Sequence, residues 1–271
     1  MAVDDQKSIL SFLEEQIKGN CIDLAELQKV AKTFDCSLRD IEKIALNHSI
    51  LPARFQRNGL NCSDQLKLFQ ARVAIIGCGG LGGRTAELLA RIGIGHLILT
   101  DPDVFSESNL NRQIFCTVET LGRNKVDIVG RELQKINPTL EISLHISQFD
   151  TLSISTADIV IDALDSTTAK KELSALCRNH SIPLIHGAVK EWYGQVGVEQ
   201  SANSLIDPLY RQTVENILSP HVLVMAVSLV ASIQAAEACK LILGAGSPLS
   251  DGWLQCDLLY GDYEKIVTGA C

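Results

Sequence analysis

Four short stretches hold the residues that could do chemistry in this chain. Gly77-Cys-Gly79-Gly80-Leu-Gly82 has G-x-G-x-x-G spacing. Ser108-Asn109-Leu-Asn-Arg112-Gln113 supplies a guanidinium and side-chain amides, Gly122-Arg-Asn-Lys125 an ammonium, and Asp162-Ala-Leu-Asp165-Ser166 carboxylates. Glycines let backbone approach an anion, cations neutralise it, and a carboxylate can hold Mg²⁺ against phosphate oxygens. Singly, each has an ordinary explanation: Arg112 and Lys125 as solvated charges at helix ends, Asp165 as a helix N-cap. Jointly they occur at three successive strand ends, where ligands of open α/β sheets bind.

The elements that must position these residues are legible around the glycines. Val73 to Ile76 is an apolar, β-favouring run that enters the glycine cluster, and a helical pattern from Arg84 to Arg91 follows. Strand, tight turn and helix are the context in which the glycine spacing becomes a phosphate-binding turn. The helix N-terminus adds free N–H groups and a positive dipole end. A second strand, 96–100, ends in Asp101, nineteen residues after Gly82, where a carboxylate can accept hydrogen bonds from ribose hydroxyls. Turn and acid together predict a nucleotide site. A dinucleotide's pyrophosphate is largely satisfied by the helix N-terminus, whereas a triphosphate calls for added cations such as Arg112 and Lys125.

The alternation continues along the chain. Helices are expected over 80–92, 123–136, 168–179 and 221–243, the last ending at Gly244. Strands are expected over 73–76, 96–100, 141–146, 158–162, 183–186 and 193–199. Two more, 253–259 and 263–267, are divided by Gly261-Asp262 as a hairpin turn. The fold class is α/β: a Rossmann-like, doubly wound sheet, parallel in its first half, with antiparallel C-terminal strands. Residues 1–50 read as a small helical appendage of three helices and 51–271 as the nucleotide-binding domain. In the appendage, Asp23 and Ser37 are the expected N-caps, Asp40 completing a box with Ser37. Leu51 to Leu68 reads as a connection, and its two arginines, Arg54 and Arg57, as solvated surface.

Composition narrows the partners. Of 271 residues, 46% are hydrophobic and 21% charged, ordinary for a globular core, and the formal net charge of −8 argues against nucleic acid or anionic membrane as partner. Nine cysteines stand at least fifteen residues apart with no C-x-x-C, so no zinc site is expected. Scattered thiols and an N-terminus lacking an apolar signal core point to the cytoplasm. The longest apolar run, Val222 to Ile233, reads as a buried helix rather than a membrane span. Cys177, Cys239 and Cys256 read as core and His186 as a satisfied structural histidine. Cys271, at the chain's end, is the one thiol whose position invites a role.

Gly-x-Gly-Gly-Leu-Gly, then Asp-x-Asp-x-Val-x-x-Ser-Asn-Leu-x-Arg-Gln, Gly-x-x-Lys-Val and Asp-x-x-Asp closely resemble the ThiF/MoeB/HesA family, bacterial relatives of ubiquitin-activating enzymes. The resemblance covers residues 51–268. It implies adenylation, with ATP and Mg²⁺, of the C-terminal Gly-Gly of a ubiquitin-like sulfur carrier in thiamine or molybdopterin-type biosynthesis. It also implies roles: Gly80 against the phosphates, Asp101 at the ribose, and Asn109, Arg112 and Lys125 on the triphosphate, with Asp165 on Mg²⁺. Arg57 matches the family's Arg-aromatic-x-Arg finger, supplied across a homodimer interface. Gly77, Gly79, Gly82, Ser108, Gln113 and Ser166 complete the expected nucleotide contacts. Two departures stand out: the paired C-x-x-C motifs of many relatives are absent, and the loop at 201–219 has no cysteine for thioester or persulfide chemistry. The competing readings are a nicotinamide-dependent oxidoreductase, a non-catalytic binding module, and a relative acting on a small-molecule or tRNA-borne carboxylate.

Overall fold

Val73 and Ile75 face one side of a strand and Ala74 and Ile76 the other, and all four are buried. A strand apolar on both faces requires a sheet covered by helices on both sides, and the computed structural model has that arrangement. It describes residues 3–200, 204–210 and 221–267. The N-terminal elements are α1 (Val3–Glu14), β1 (Cys21–Ile22), α2 (Leu24–Thr33), α3 (Leu38–Asn47), β2 (Leu51–Pro52) and α4 (Cys62–Gln70). The α/β unit follows with β3 (Arg72–Ile76), α5 (Gly80–Ile92), β4 (His96–Thr100), α6 (Lys125–Ile136), β5 (Glu141–His145), α7 (Thr151–Ile154), β6 (Ile159–Asp162) and α8 (Thr167–Asn179). It closes with β7 (Leu184–Lys190), β8 (Tyr193–Glu199), α9 (Ile206–Leu209), α10 (Val224–Leu243), β9 (Gly252–Asp257) and β10 (Asp262–Val267).

The main sheet runs β10-β9-β8-β7-β6-β3-β4-β5. From β7 through β5 neighbours are parallel, and from β7 to β10 antiparallel. From β3 the chain moves outward to β4 and β5, then returns to β6 on β3's other side. The β3/β6 boundary is therefore the switch point, where a crevice opens at the carboxyl ends. Helices α5, α6 and α10 pack with Val73, Ile75, Leu97 and Ile161 on one face, while α8 packs with Ala74, Ile76, Val160 and Leu184 on the other.

Helix α10 is long and apolar enough to cross a membrane by composition alone. Its hydrophobicity instead faces α5, β7 and β8. Its buried polar residues are bonded to the protein: Gln234 Nε2 donates to Asp162 O (2.8 Å), and Glu237 accepts Leu249 N–H (2.9 Å).

Helices α1–α3 have a core of their own around Ile9, Leu13, Leu27, Val30 and Ile41. Polar clamps then fasten them to the α/β unit. Arg39 donates to the carbonyls of Gly95 (2.7 Å) and Thr139 (2.9 Å) and lies over the Phe69 ring. Glu42, fully buried, is paired with Arg54 and accepts from Thr139 Oγ1 (3.1 Å). Burial pushes the Glu42 carboxyl upward against the pull of Arg54.

Three local expectations need correction. The stretch 51–68 is no simple connection: it contains β2, a 3₁₀ turn over Ala53–Asn58 and most of α4. Asn61 caps α4 by accepting Asp64 N–H (2.8 Å), an Asn-x-x-Asp signal hidden by weak apolar periodicity. Asp23 makes no side-chain cap on α2 and pairs with Lys18 instead, whereas Ser37 does cap α3. The final hairpin turns over 258–261, because Asp262 is already in register opposite Asp257 and only Gly261 has the left-handed φ of +75°.

Removing Arg54 while leaving Glu42 buried is expected to cost about 3–5 kcal/mol. Denaturant unfolding of Arg54→Met should show this loss, and Glu42→Gln/Arg54→Met should recover most of it. Equal losses in both would show that the pair acts through packing alone.

Candidate active site

The site begins with the constraint on the glycines. Gly77 has φ +93°, and a β-carbon there would fall 2.7 Å from Ala163 O. One at Gly82 would fall 1.7 Å from Gly77 O and 3.1 Å from the Ala163 side chain. The turn is thus pressed against the segment leaving β6. The first amide bond of α5 runs from Gly83 to Gly79 (3.0 Å), so the N–H groups of Gly80, Leu81 and Gly82 point outward from the helix N-terminus. They form an anion-binding cradle.

Asp101 reinforces the turn. Its carboxylate accepts Cys78 N–H (2.7 Å) and Asp103 N–H (2.8 Å), and it is 5% exposed. Burial raises its pKa, opposed by those amides and by Lys125. Expected at a ribose, it therefore also fixes the glycine turn.

Backbone pairing of 103–105 with 122–125 delivers Lys125, through Lys125 N to Asp103 O (3.0 Å) and Phe105 N to Arg123 O (2.9 Å). The Lys125 ammonium lies 2.8 Å from Asp103 Oδ2 and 3.9 Å from Asp101 Oδ1. It is buried, an expensive position for a charge unless partnered.

The loop 106–113 is organised by Asn109. Its Oδ1 accepts Ser106 N–H (3.0 Å), and its carbonyl accepts the amides of Arg112 and Gln113. Ser108 is exposed, its hydroxyl against Ser106 and its carbonyl accepting from the Arg112 guanidinium (2.9 Å). The Arg112 stem lies 3.7 Å from where a β-carbon on Gly80 would stand, and Gln113 Nε2 lies 3.4 Å from that position on Gly79. Gln113 is buried, and its Oε1 has no hydrogen-bond partner. An orphaned acceptor beside a turn closed to a β-carbon at Gly77 and Gly82 fits a polar ligand seated there.

Asp165 stands two residues beyond Ala163. It is exposed, with no ion pair or hydrogen bond among the described residues, and Ser166 caps α8 by accepting Ala169 N–H (3.4 Å). The N-cap is thus Ser166, which leaves the Asp165 carboxylate available to a ligand.

The glycine turn (Gly77, Gly79, Gly80, Gly82) thus meets Asp101, Arg112 and Gln113 directly; Lys125 joins it through Asp101, Ser108 and Asn109 through the Arg112 loop, and Asp165 and Ser166 follow the segment that abuts Gly77. Arg57 is elsewhere. Phe55 packs on Gly93, and Asn58 donates to Ile92 O (3.2 Å), which sets Arg57 beside the far end of α5. Thirteen helical residues separate that end from the glycine turn, about 20 Å. The two arginines of the Arg54-Phe-Gln-Arg57 motif have parted: Arg54 is bound to Glu42, and Arg57 is exposed and makes no ion pair with the described residues.

Sequence reasoning missed the cluster behind the crevice in which buried Asp162, Lys170 and His186 meet half-buried Gln195 and Tyr210, though His186 is a satisfied structural histidine as expected. Lys170 and His186 both hold the Asp162 carboxylate. Asp162 and His186 were visible as residues, but Lys170 had no signal, since its pairing with Asp162 is set by how α8 returns to β6. Cys177 and Cys256 lie in the core and Cys239 packs against it, as expected. Cys271, residues 201–203 and 211–219 of the cysteine-free loop lie outside the described residues. Among the described residues no group of three or more His, Cys, Asp or Glu is placed to hold a metal ion.

Residues 48–270 match the ThiF family model. Molybdopterin-synthase adenylyltransferase of Escherichia coli K12 is 32% identical over 238 residues, 84% of this chain and 94% of that protein. Sulfur carrier protein ThiS adenylyltransferase of the same organism is 32% identical over 196 residues, 69% of this chain and 78% of that protein. In fold, the chain is similar to E. coli MccB crystallised with ATP: TM-score 0.68, 22% identity, covering 90% of this chain and 82% of that one. The chain belongs to the ThiF family. It is an adenylyltransferase and uses ATP; the oxidoreductase reading is not favoured.

Gly82→Ala and Gly83→Ala separate the cradle from general helix packing. A methyl at Gly83 meets only ordinary contacts, 3.5 Å and beyond. Titration with a fluorescent ATP analogue should show binding retained in Gly83→Ala and abolished in Gly82→Ala.

Proposed function

We propose that this enzyme adenylates the C-terminal carboxylate of a ubiquitin-like sulfur carrier ending in Gly-Gly, for thiamine or molybdopterin-type biosynthesis. The observation that carries the reading is the α5 N-terminus with the Arg112 stem beside Gly80, Lys125 beside Asp101, which holds the turn, and the Asp165 segment abutting Gly77. That set suits a triphosphate better than a dinucleotide. The names of the relatives, adenylyltransferases for molybdopterin synthase and for a sulfur carrier, support the carrier as substrate.

The chemistry needs no nucleophile from the protein. An oxygen of the carrier carboxylate forms a bond to the α-phosphorus of ATP. The bond from that phosphorus to the bridging oxygen breaks, and pyrophosphate leaves with the electron pair. Charge accumulates on the α-phosphoryl group and the leaving pyrophosphate, where preorganised cations and N–H donors lower the barrier. Lys125 and Arg112 would supply the cations, the amides of Gly80 to Gly82 the donors, and Asp101 the ribose contact. Asn109, Ser108 and Gln113 hold the loop that carries Arg112. Mg²⁺, held by Asp165, would neutralise the phosphate oxygens.

Arg57 completes the site only from a second copy. Exposed, unpaired and at the far end of its own α5, it suits a finger reaching the partner's ATP in a homodimer. Eight cysteines among the described residues, none disulfide-bonded there, suit a reducing compartment, the cytoplasm.

ATP–pyrophosphate exchange with candidate carriers tests the reading: exchange with one Gly-Gly carrier is expected, and none with the same carrier lacking its last glycine. Exchange that ignores the carrier would remove it as substrate. Arg57→Ala and Lys125→Ala should each be inactive, and their mixture should recover about a quarter of the activity through heterodimers with one intact site. No recovery after confirmed subunit exchange would count against the cross-subunit finger.

A further inference from the structure

The buried cluster behind the crevice is fully bonded. Lys170 Nζ donates to both Asp162 oxygens (3.0 Å each) and to Gly187 O (2.8 Å), which uses all three of its protons. His186 Nδ1 bonds Asp162 Oδ2 (2.7 Å), and its Nε2 faces Tyr210 OH (3.2 Å) and Gln195 Nε2 (3.3 Å). Asp162, Lys170 and His186 are 0%, 3% and 0% exposed. Such a buried ion pair adds little net stability over apolar residues of similar size. Its position suggests what it does.

Asp162 is the last residue of β6 and the first of Asp162-Ala-Leu-Asp165. Its Oδ1 accepts Leu164 N–H (3.1 Å), closing an Asx turn on the segment that leads to Asp165. The same segment is held through its backbone: Ala163 N donates to Ile76 O (3.0 Å), and Asp162 O accepts from Gln234. On its remaining side Ala163 O abuts Gly77. Lys170 and His186 thus fix the carboxylate that fixes the turn, and the turn is pressed on the phosphate cradle.

We propose that Asp162, Lys170 and His186 are positioning residues that hold Asp165 at a set place beside the glycine turn, so that the metal site exists before nucleotide arrives. The proposal rests on Asp165 as the Mg²⁺ ligand. Asp162 touches neither metal nor nucleotide. It acts through the 163–165 turn, with Lys170 and His186 acting through Asp162. Tyr210, at the end of the segment after β8, reaches the same histidine.

The test is Mn²⁺ binding by electron paramagnetic resonance, in the presence of a non-hydrolysable ATP analogue, on the full chain. The apolar replacement Asp162→Leu/Lys170→Met is expected to weaken Mn²⁺ about 10- to 100-fold. Affinity for the analogue without metal should be unchanged, because the cradle, Arg112 and Lys125 are intact. Steady-state kinetics should place the defect in the metal concentration for half-maximal rate rather than in the KM for carrier. Mn²⁺ affinity equal to wild type in a folded double variant overturns the proposal. Asp165→Asn separates the two readings: if it binds Mn²⁺ normally, Asp165 is not the ligand and the foundation fails; if it alone loses Mn²⁺, only the positioning role fails. Hydrogen exchange on the unmutated chain covers the case of a variant that does not fold. The Leu164 amide should exchange as slowly as the amides of β6, and rapid exchange there would overturn the proposal.

Discussion

Everything at the crevice depends on one close approach, that of the Gly77 turn to the backbone of Ala163. At 2.7 Å for a would-be β-carbon, the carboxyl ends of β3 and β6 come together only because one side has no side chain. That contact sets the spacing between the phosphate cradle and the Asp165 segment. The sheet fixes that separation through the adjacent parallel strands β3 and β6 rather than through flexible loops.

The cations then arrive by separate routes. Lys125 comes through the backbone pairing of 103–105 with 122–125, and Arg112 through the turn that Asn109 organises. Neither route passes through the glycines, yet the Arg112 stem ends against Gly80 and Lys125 ends beside Asp101. Asp101 links the two halves, accepting a glycine-turn amide while standing within 4 Å of Lys125. A carboxylate read from sequence as a ribose ligand is therefore also a structural member of the turn.

The α/β alternation, the switch-point glycines and most of the crevice residues were legible because they follow from local pattern. Strands buried on both faces read as continuous apolar runs, and a glycine cluster between strand and helix has few other uses. What escaped was set by tertiary pairing. Nothing in the spacing of Asp162 and Lys170 shows that α8 brings them to 3.0 Å, since that depends on how the helix returns to the sheet. Arg54 and Arg57 read alike as surface charges. Only the docking of α3 shows that one is a buried partner of Glu42 and the other is free. Helix α4 was hidden because its cap is polar and its buried residues, Gln65, Leu68 and Phe69, make a weak stripe.

The central claim, carboxylate attack on the α-phosphorus of ATP, is tested most directly by oxygen transfer. A carrier whose C-terminal carboxylate is labelled with ¹⁸O is incubated with enzyme and unlabelled ATP. Hydroxylamine then releases the acyl-adenylate at its acyl carbon, and the AMP is weighed by mass spectrometry. Carboxylate attack leaves one ¹⁸O atom in the AMP, because the carboxylate oxygen stays with phosphorus. Unlabelled AMP, formed at the same rate as pyrophosphate, would contradict it and assign nucleotide cleavage to water.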